Sequence, residues 1–552
     1  MRTISSKSAI TKMQAIIIAV IVVVAAVAAG YYVAFRPSSQ TGTSTYLRIG
    51  WGGYTICDPG VGTDFSSSAA EINLYDPLVY PTTTGDVKPW VAENWTSSPD
   101  GLSWTFNIKQ GIKFHTGREL TAEDVAFSMR RLVTIGEGYG YIFSPYYDSA
   151  IAIANYTVQV NLTKPFGPFL IALVRLFIVD HEEVMAHLKF PGSYGDFGDY
   201  GREWLLTHDA GSGPLEVKNI VLGGDYTFEK YSAYWGTTKS NSPDIVVYYT
   251  ANDPTLEKTQ MLQGQLDISF GWLDEEWYAS MATNSGINIT TVPGDSPLYY
   301  MMNTQKPPLD DIHVRKALAY AFDYQTVAST IMKNRGPVSD GPVPSTLPGW
   351  TNVFQYTLNY SAAREELKLS KYYPDIINNP DNYAITIHWP SDATFEEKIA
   401  LSFAQGLQEI GLKAQLTATP WNSIVQETAS VDTAPHIESV SVAASYSEAG
   451  SILESKYSSN SAGTWEQNEW LKNATLDAQM KDAVSTLNRT ERFAKYAAIQ
   501  SYIVGLCPTI FTFEMNTKHA YQTYVDWPIA HGVHIPGMGY DFDVRNIGIL
   551  PH

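Results

Sequence analysis

The stretch Tyr383–Ala418, YAITIHWPSDATFEEKIALSFAQGLQEIGLKAQLTA, changes its hydrophobic period twice. Tyr383, Ile385, Ile387 and Trp389 alternate, which is strand spacing. Phe395, Ile399, Phe403, Leu407 and Ile410 then recur at threes and fours, which is helix spacing. Gly411 supplies a helix stop, and Leu412, Ala414, Leu416 and Ala418 alternate again. Strand, helix, strand in this order is the unit from which parallel sheets are built. Outward from it, Asp311 opens a second helix with Val314, Ala317, Leu318, Ala321 and Phe322 on one face. Thr121 opens a third, with its hydroxyl placed to cap the amide of Asp124 and with Val125, Met129 and Leu132 facing inward. Strand-like runs such as Ile245 to Thr250 lie between them, so the body reads as α/β with mixed sheets and more than one lobe. No internal repeat is visible.

The chain has 552 residues, enough for about three or four folding units. With 44% hydrophobic and 17% charged residues, it can bury large cores. Its 37 basic and 56 acidic residues give a net charge of −19, a field that repels phosphate backbones and excludes nucleic acid as a partner. Two cysteines, Cys57 and Cys507, form neither a disulfide framework nor a CxxC metal site; an oxidising compartment would permit them to pair.

Ala15–Phe35, AIIIAVIVVVAAVAAGYYVAF, is 21 residues without a charge and spans about 32 Å as a helix, enough to cross a bilayer. Arg2, Lys7 and Lys12 precede it, which holds the N-terminus inside and the rest of the chain outside. Small residues at Ala26-Val27-Ala28 leave a cleaved secretory signal open, although the apolar run is longer than such signals carry; both readings export the body. The segment after Arg36, PSSQTGTST, reads as a flexible tether. The first 45 residues hold four basic and no acidic residues, so 33 basic against 56 acidic leaves the exported part at −23. Seven sequons, at Asn94, Asn155, Asn161, Asn288, Asn359, Asn473 and Asn488, slightly exceed chance and make a glycoprotein an expectation.

Searches for catalytic chemistry fail. There is no GxxxxGK[ST] and no GxSxG, and Gly136, Gly138 and Gly140 are too evenly spaced for a dinucleotide turn. His181-Glu182-Glu183 continues with Met at 185, and His187 falls off the face a zinc helix would use. Asp274, Glu275 and Glu276 read as a solvated turn before a glycosidase pair, and His531 and His534 as surface residues. No cofactor or metal site is expected. The unusual feature is 14 Trp and 35 Tyr, which in an acidic, exported, catalytically silent body suits a ligand bound by stacking.

Several runs in order resemble the extracellular solute-binding proteins of the oligopeptide/dipeptide class that serve ABC importers (solute-binding protein family 5). They are Leu74–Val79, Pro89–Trp95, Asp100–Phe106, Gly111–Ser128 (GIKFHTGRELTAEDVAFS, the most specific), Gly211–Pro214 with Tyr234-Trp235, Leu262–Ile268, and Asn303–Asp323. The resemblance covers nearly all of 46–530, and the layout is that of an archaeal, membrane-anchored member. It implies an α/β, two-lobed clamp of the periplasmic-binding-protein type (class II) with an inserted subdomain. The first lobe would be 46–75, 206–297 and 509–552, the inserted subdomain 76–205 and the second lobe 298–508, behind a tip, anchor and tether at 1–45. Crossings near Pro297 and Cys507 would serve as the hinge, and His115 and Asp124 would be structural. The implied partners are an ABC permease and its ATPase, with a monomeric body held at the outer membrane face.

Peptide-binding members of the family carry an Asp for the ligand ammonium in a W-x-A-D-Y motif. The matching positions here are Val442-Ala443-Ala444-Ser445-Tyr446, so that charge is missing. Glu448, three residues on, matches a position where the family often carries another acid outside that role. A serine among abundant aromatics favours an oligosaccharide over a peptide, with Tyr54, Trp272 and Trp421 as stacking planes beside Ser445 and Tyr446. A surface-anchored hydrolase is the alternative from another class. A membrane sensor is disfavoured because only about 12 residues precede the anchor.

Overall fold

The computed structural model describes residues 44–51, 55–250, 253–294, 296–353, 356–391, 393–535 and 539–552. The apolar run Ala15–Phe35 and the candidate Tyr54 lie outside the described residues. No helix among the described residues is long and apolar enough to cross a membrane.

Residues 46–552 form one compact unit built around three sheets. The first sheet has the order Tyr46–Trp51, Ile245–Thr250, Tyr226–Lys230, Leu215–Ile220. Its first pair is parallel and the others are antiparallel. Bridges at Ile268 join it to the antiparallel pair Ile287–Val292 and Thr517–Gln522.

The second sheet holds the stretch quoted above. Its order is Ala414–Thr419, Ile385–Pro390, Ile437–Ser441, Pro297–Met302, Thr509–Glu514. Ile385–Pro390 and Ala414–Thr419 pair in parallel, and the helix Thr394–Glu409 crosses between them. Phe395, Ile399, Phe403 and Leu407 are all buried, as the period of 3.6 requires. Gly411 stops the crossover at φ +85°, a left-handed position that only glycine adopts cheaply. Thr509–Glu514, which the sequence groups with the first lobe, pairs here with Pro297–Met302. The two passages between sheets are therefore 293–296 and 515–516. They lie side by side, with Gly294 N–H donating to Asn516 Oδ1 at 2.9 Å.

The third sheet is antiparallel: Ala92–Ser97, Ser103–Ile108, Thr157–Leu162, Tyr147–Ala154. The helix Ala122–Ile135 packs on it through Val125, Met129 and Leu132, all buried. At its start the Asp124 carboxylate accepts from Thr121 N (2.8 Å) and Thr121 Oγ1 (3.0 Å), and it also holds Arg118 and His181. His115 is bonded to Asp209 and to Gly213 O. A Cβ on Gly211 would lie 1.8 Å from Leu74 O, so this close backbone approach needs glycine.

The motif blocks converge on one buried carboxylate. Asp76 accepts from Trp90 Nε1 (2.8 Å), Ser212 Oγ (2.9 Å), Trp235 Nε1 (2.7 Å) and Arg545 Nη2 (2.7 Å). Tyr234 OH adds a fifth donor at 3.2 Å, and a buried anion so supplied is stable where a bare one would cost several kcal/mol. Cys57 and Cys507 are buried and free, so they do not pair.

Candidate functional site

The candidate site is the seam where the segment after Ile437–Ser441 meets residues 141–175 and lies near the helix Phe65–Leu74. Ser445 is 6% exposed and fully engaged. Its Oγ shares a 2.5 Å hydrogen bond with Tyr141 OH, its N–H is held by Ser451 Oγ at 2.9 Å, and its carbonyl accepts from Arg175 Nε at 2.6 Å. Tyr446 is buried, with its ring edge-on to Phe166 and its hydroxyl donating to Glu454 Oε2 at 3.4 Å. Tyr146 donates to the other oxygen of Glu454 at 2.9 Å. Ser445 and Tyr446 thus hold the segment Tyr141–Arg175, and the Tyr446 ring is not a free stacking plane.

Around Arg175 the site becomes charged. Arg175 is fully buried, with its guanidinium over the rings of Tyr139 (4.7 Å) and Tyr540 (5.6 Å). After Nε bonds Ser445 O, its two terminal nitrogens make no hydrogen bond among the described residues. Glu71, on the helix Phe65–Leu74, is equally buried, and neither carboxyl oxygen is hydrogen-bonded among the described residues. Burial pushes the Glu71 carboxyl well above the usual range, with Arg175 as the opposing influence. Glu466 stands within electrostatic reach of Tyr141, and burial pushes it up to about 7 against the pull of Lys456. Lys456 itself is fully buried, 3.1 Å from Glu469. A cavity of about 440 Å³ opens beside this seam, lined in part by Tyr141, Tyr146, Lys164, Tyr446, Glu454 and Ser455. Its volume is that of a small-ligand site.

The stacking candidates are scattered. Trp421 is 41% exposed and meets Trp465 edge-on at 5.0 Å, next in sequence to Glu466. Trp272 is half-buried on a loop whose Gly271 and Leu273 carbonyls accept from Arg335 at 2.6 and 2.7 Å. Arg335 also donates to Asn516 O, which fastens that loop to the passage at 515–516. Glu448 pairs with Arg492 and Tyr496 and so acts structurally.

Sequence reasoning overlooks Arg175, Glu71 and Glu466. Arg175 had a signal: it is the single charge in the run Phe169–Val179 (FLIALVRLFIV), and a lone arginine inside an apolar run is either misplaced or buried for a purpose. Glu71 lies in SSSAAEINL, where nothing in the pattern distinguishes it from a solvated helix face.

The model of the family "Bacterial extracellular solute-binding proteins, family 5 Middle" matches residues 86–464. The chain belongs to this family. Its relatives include the "Probable D,D-dipeptide-binding periplasmic protein DdpA" of Escherichia coli K12, 24% identical over 472 residues that cover 84% of this chain and 87% of the relative. Among solved structures, DppA from Helicobacter pylori in complex with peptide STSA superposes with TM-score 0.78 at 21% identity, covering 92% of this chain and 98% of that one. The dipeptide binding protein from Pseudoalteromonas sp. SM9913 in complex with Met-Leu gives 0.79 at 20%, covering 91% and 100%. At these identities the superpositions establish the two-lobed α/β fold of the family 5 member.

Proposed function

We propose that this family 5 protein captures short peptides or peptide-like zwitterions between its lobes and delivers them to an ABC permease without chemical change. The observation that carries this reading is the pair of buried ionisable groups at the seam, whose polar atoms have no hydrogen-bond partner among the described residues. Glu71 offers a carboxylate to an ammonium, and Arg175 offers two guanidinium nitrogens to a carboxylate. A ligand with both ends charged supplies the partners each group lacks, and charge-assisted bonds of this kind are the strong ones. The relatives named for peptides favour the same ligand class. This reverses the preference drawn from Ser445 alone. The charge absent at 445 is replaced by charges on other elements, while the serine hydroxyl is taken by Tyr141. Oligosaccharide binding is the second reading, favoured by the exposed Trp421 against Trp465.

The strand pairing supports lobe crossings at 293–296 and 515–516 rather than at Cys507, with the first lobe as 46–75, 206–292 and 517–552. The run Ala15–Phe35 is read as the anchor that keeps the body at the outer membrane face, and Trp272, Trp421, Ser445 and Tyr446 remain the stacking and seam residues to test.

Thermal unfolding of the exported body with di- to tetrapeptides, and separately with cello- and xylo-oligosaccharides, tests the ligand class. Peptides should raise the midpoint, by about 2.7 kcal/mol of stabilisation at a hundredfold excess over Kd. Arg175→Met should remove that response and Trp421→Ala should not. Stabilisation by sugars alone overturns the peptide reading, and ligand recovered cleaved, judged by mass spectrometry, overturns the transport reading.

A further inference from the structure

Away from the seam, the second sheet carries a cluster that the binding function does not use. His388 lies on the strand Ile385–Pro390 and Glu438 on Ile437–Ser441. The two are direct partners across this parallel pair, so both side chains leave the same face of the sheet. The helix Trp421–Glu427, reached through the strand Ala414–Thr419, ends over that face with Glu427 as its last residue. His388 Nδ1 is 2.9 Å from Glu427 Oε1. One nitrogen of His388 and one oxygen from each carboxylate all lie within 4.8 Å of one another, the single such grouping among the described residues.

Glu438 gives the cluster its direction. It is 0% exposed, and neither of its oxygens receives a hydrogen bond among the described residues. Of the basic groups around the cluster, His388 is bonded to Glu427 and Lys306 lies within electrostatic reach of Glu427. Lys306 Nζ donates to Ala434 O at 2.5 Å, and His436 is bonded through its ring to Thr386 and Pro307 O. The next residue, Ser439, points to the opposite face and bonds Glu396 there. A second carboxylate beside an enclosed one makes a cation held between them favourable.

We propose that His388, Glu427 and Glu438 form a binding site for a divalent transition-metal cation of the Zn²⁺ type. One imidazole with two carboxylates is a ligand set such cations accept, whereas Mg²⁺ and Ca²⁺ take oxygen ligands. Metal bonds of about 2.0–2.2 Å require the three donors to close by roughly 1 Å from their present spread. Glu427 is the arm free to do so, since its side chain is 20% exposed at a helix end while Glu438 is fixed in the sheet. The cation would displace the proton now bridging His388 and Glu427, leaving its remaining coordination to water. This site is structural in position: it would tie the helix Trp421–Glu427, which carries the Trp421 ring, to the sheet below.

The test uses untagged, chelator-treated exported body titrated with Zn²⁺, and with Co²⁺ as a spectroscopic stand-in, alongside Mg²⁺ as control. One equivalent of Zn²⁺ should bind by calorimetry and raise the unfolding midpoint, Co²⁺ should develop visible d–d absorption, and Mg²⁺ should do neither. Glu438→Gln keeps the shape of the buried side chain, so the metal-free variant should melt at or above the wild type while its Zn²⁺ affinity falls at least about tenfold. Glu427→Gln, at the accessible helix end, should lose affinity similarly with its fold intact. Absence of a one-equivalent Zn²⁺ site in the wild type, or equal Zn²⁺ affinity in both variants, overturns the proposal and leaves a proton shared between the two carboxyls as the occupant. Peptide stabilisation is read separately, so failure here does not touch the ligand assignment.

Discussion

Replacing Glu454 by glutamine should make the protein less sensitive to rising pH. Glu454 sits on the helix Ala449–Tyr457, accepting from Tyr146 and Tyr446. Burial pushes its carboxyl from 4.5 up to about 7, with the two tyrosine hydroxyls and Lys164 pulling the other way and Glu448 adding to the rise. Because the folded-state value is raised, wild-type stability from this group is complete below about pH 4.5 and is lost as pH climbs through about 7. At 1.36 kcal/mol per unit, the loss approaches about 3 kcal/mol above pH 8. Unfolding a unit of this size carries an entropy of about 1 kcal/mol/K, so the loss corresponds to about 3 °C in Tm. Glutamine retains an acceptor for Tyr146 and carries no charge, so variant and wild type should melt alike near pH 4.5–5. Scanning calorimetry from pH 5 to 8.5 should then show the variant gaining about 3 °C on the wild type. Glu257 and Glu466 are also raised to about 7 and titrate in both proteins, so only the difference between the two curves is diagnostic. A difference that stays constant across that range, or shrinks, refutes the reasoning.

Lys456→Ala strands the Glu469 carboxylate in the interior and should cost about 3–5 kcal/mol, read as a fall in Tm, while Lys456→Met with Glu469→Leu should recover most of it. Thr121→Ala removes the hydroxyl donor to Asp124 at a helix start and should cost about 1 kcal/mol in denaturant titration. A thiol reagent should find no reactive cysteine in the native protein and two per chain after unfolding, and reductant should leave Tm unchanged, since Cys57 and Cys507 are buried and unpaired.

What could be read in the sequence follows physical range. The unit Tyr383–Ala418 was legible because each segment declares its period locally, and the parallel pairing of its two strands follows from the helix between them. The family blocks were legible as words, but not why they matter together: Trp90, Ser212 and Trp235 are far apart in the chain and meet only on Asp76. The same limit explains the site. Ser445 could be placed by its motif, but its partners Tyr141 and Arg175 come from a segment some 270 to 300 residues earlier. The strand Thr509–Glu514 was grouped with the C-terminal segment because the sequence gives no sign of which sheet an apolar, β-branched run will join. Its pairing is decided by Pro297–Met302, another run buried along its whole length.

The passages at 293–296 and 515–516 lie between two ladders, Val292 paired with Thr517 on one side and Pro297 with Glu514 on the other, with Gly294 N–H donating to Asn516 Oδ1. Two short crossings pinned by ladders at both ends would, as the lobe hinge proposed above, act like a book spine, letting the covers swing about one line while resisting sliding and torsion. A Cβ at Gly294 would lie 2.0 Å from Met515 O, so even alanine there would wedge the spine apart. Bulk at that one point would therefore alter how the jaws meet while leaving every residue of the seam itself in place.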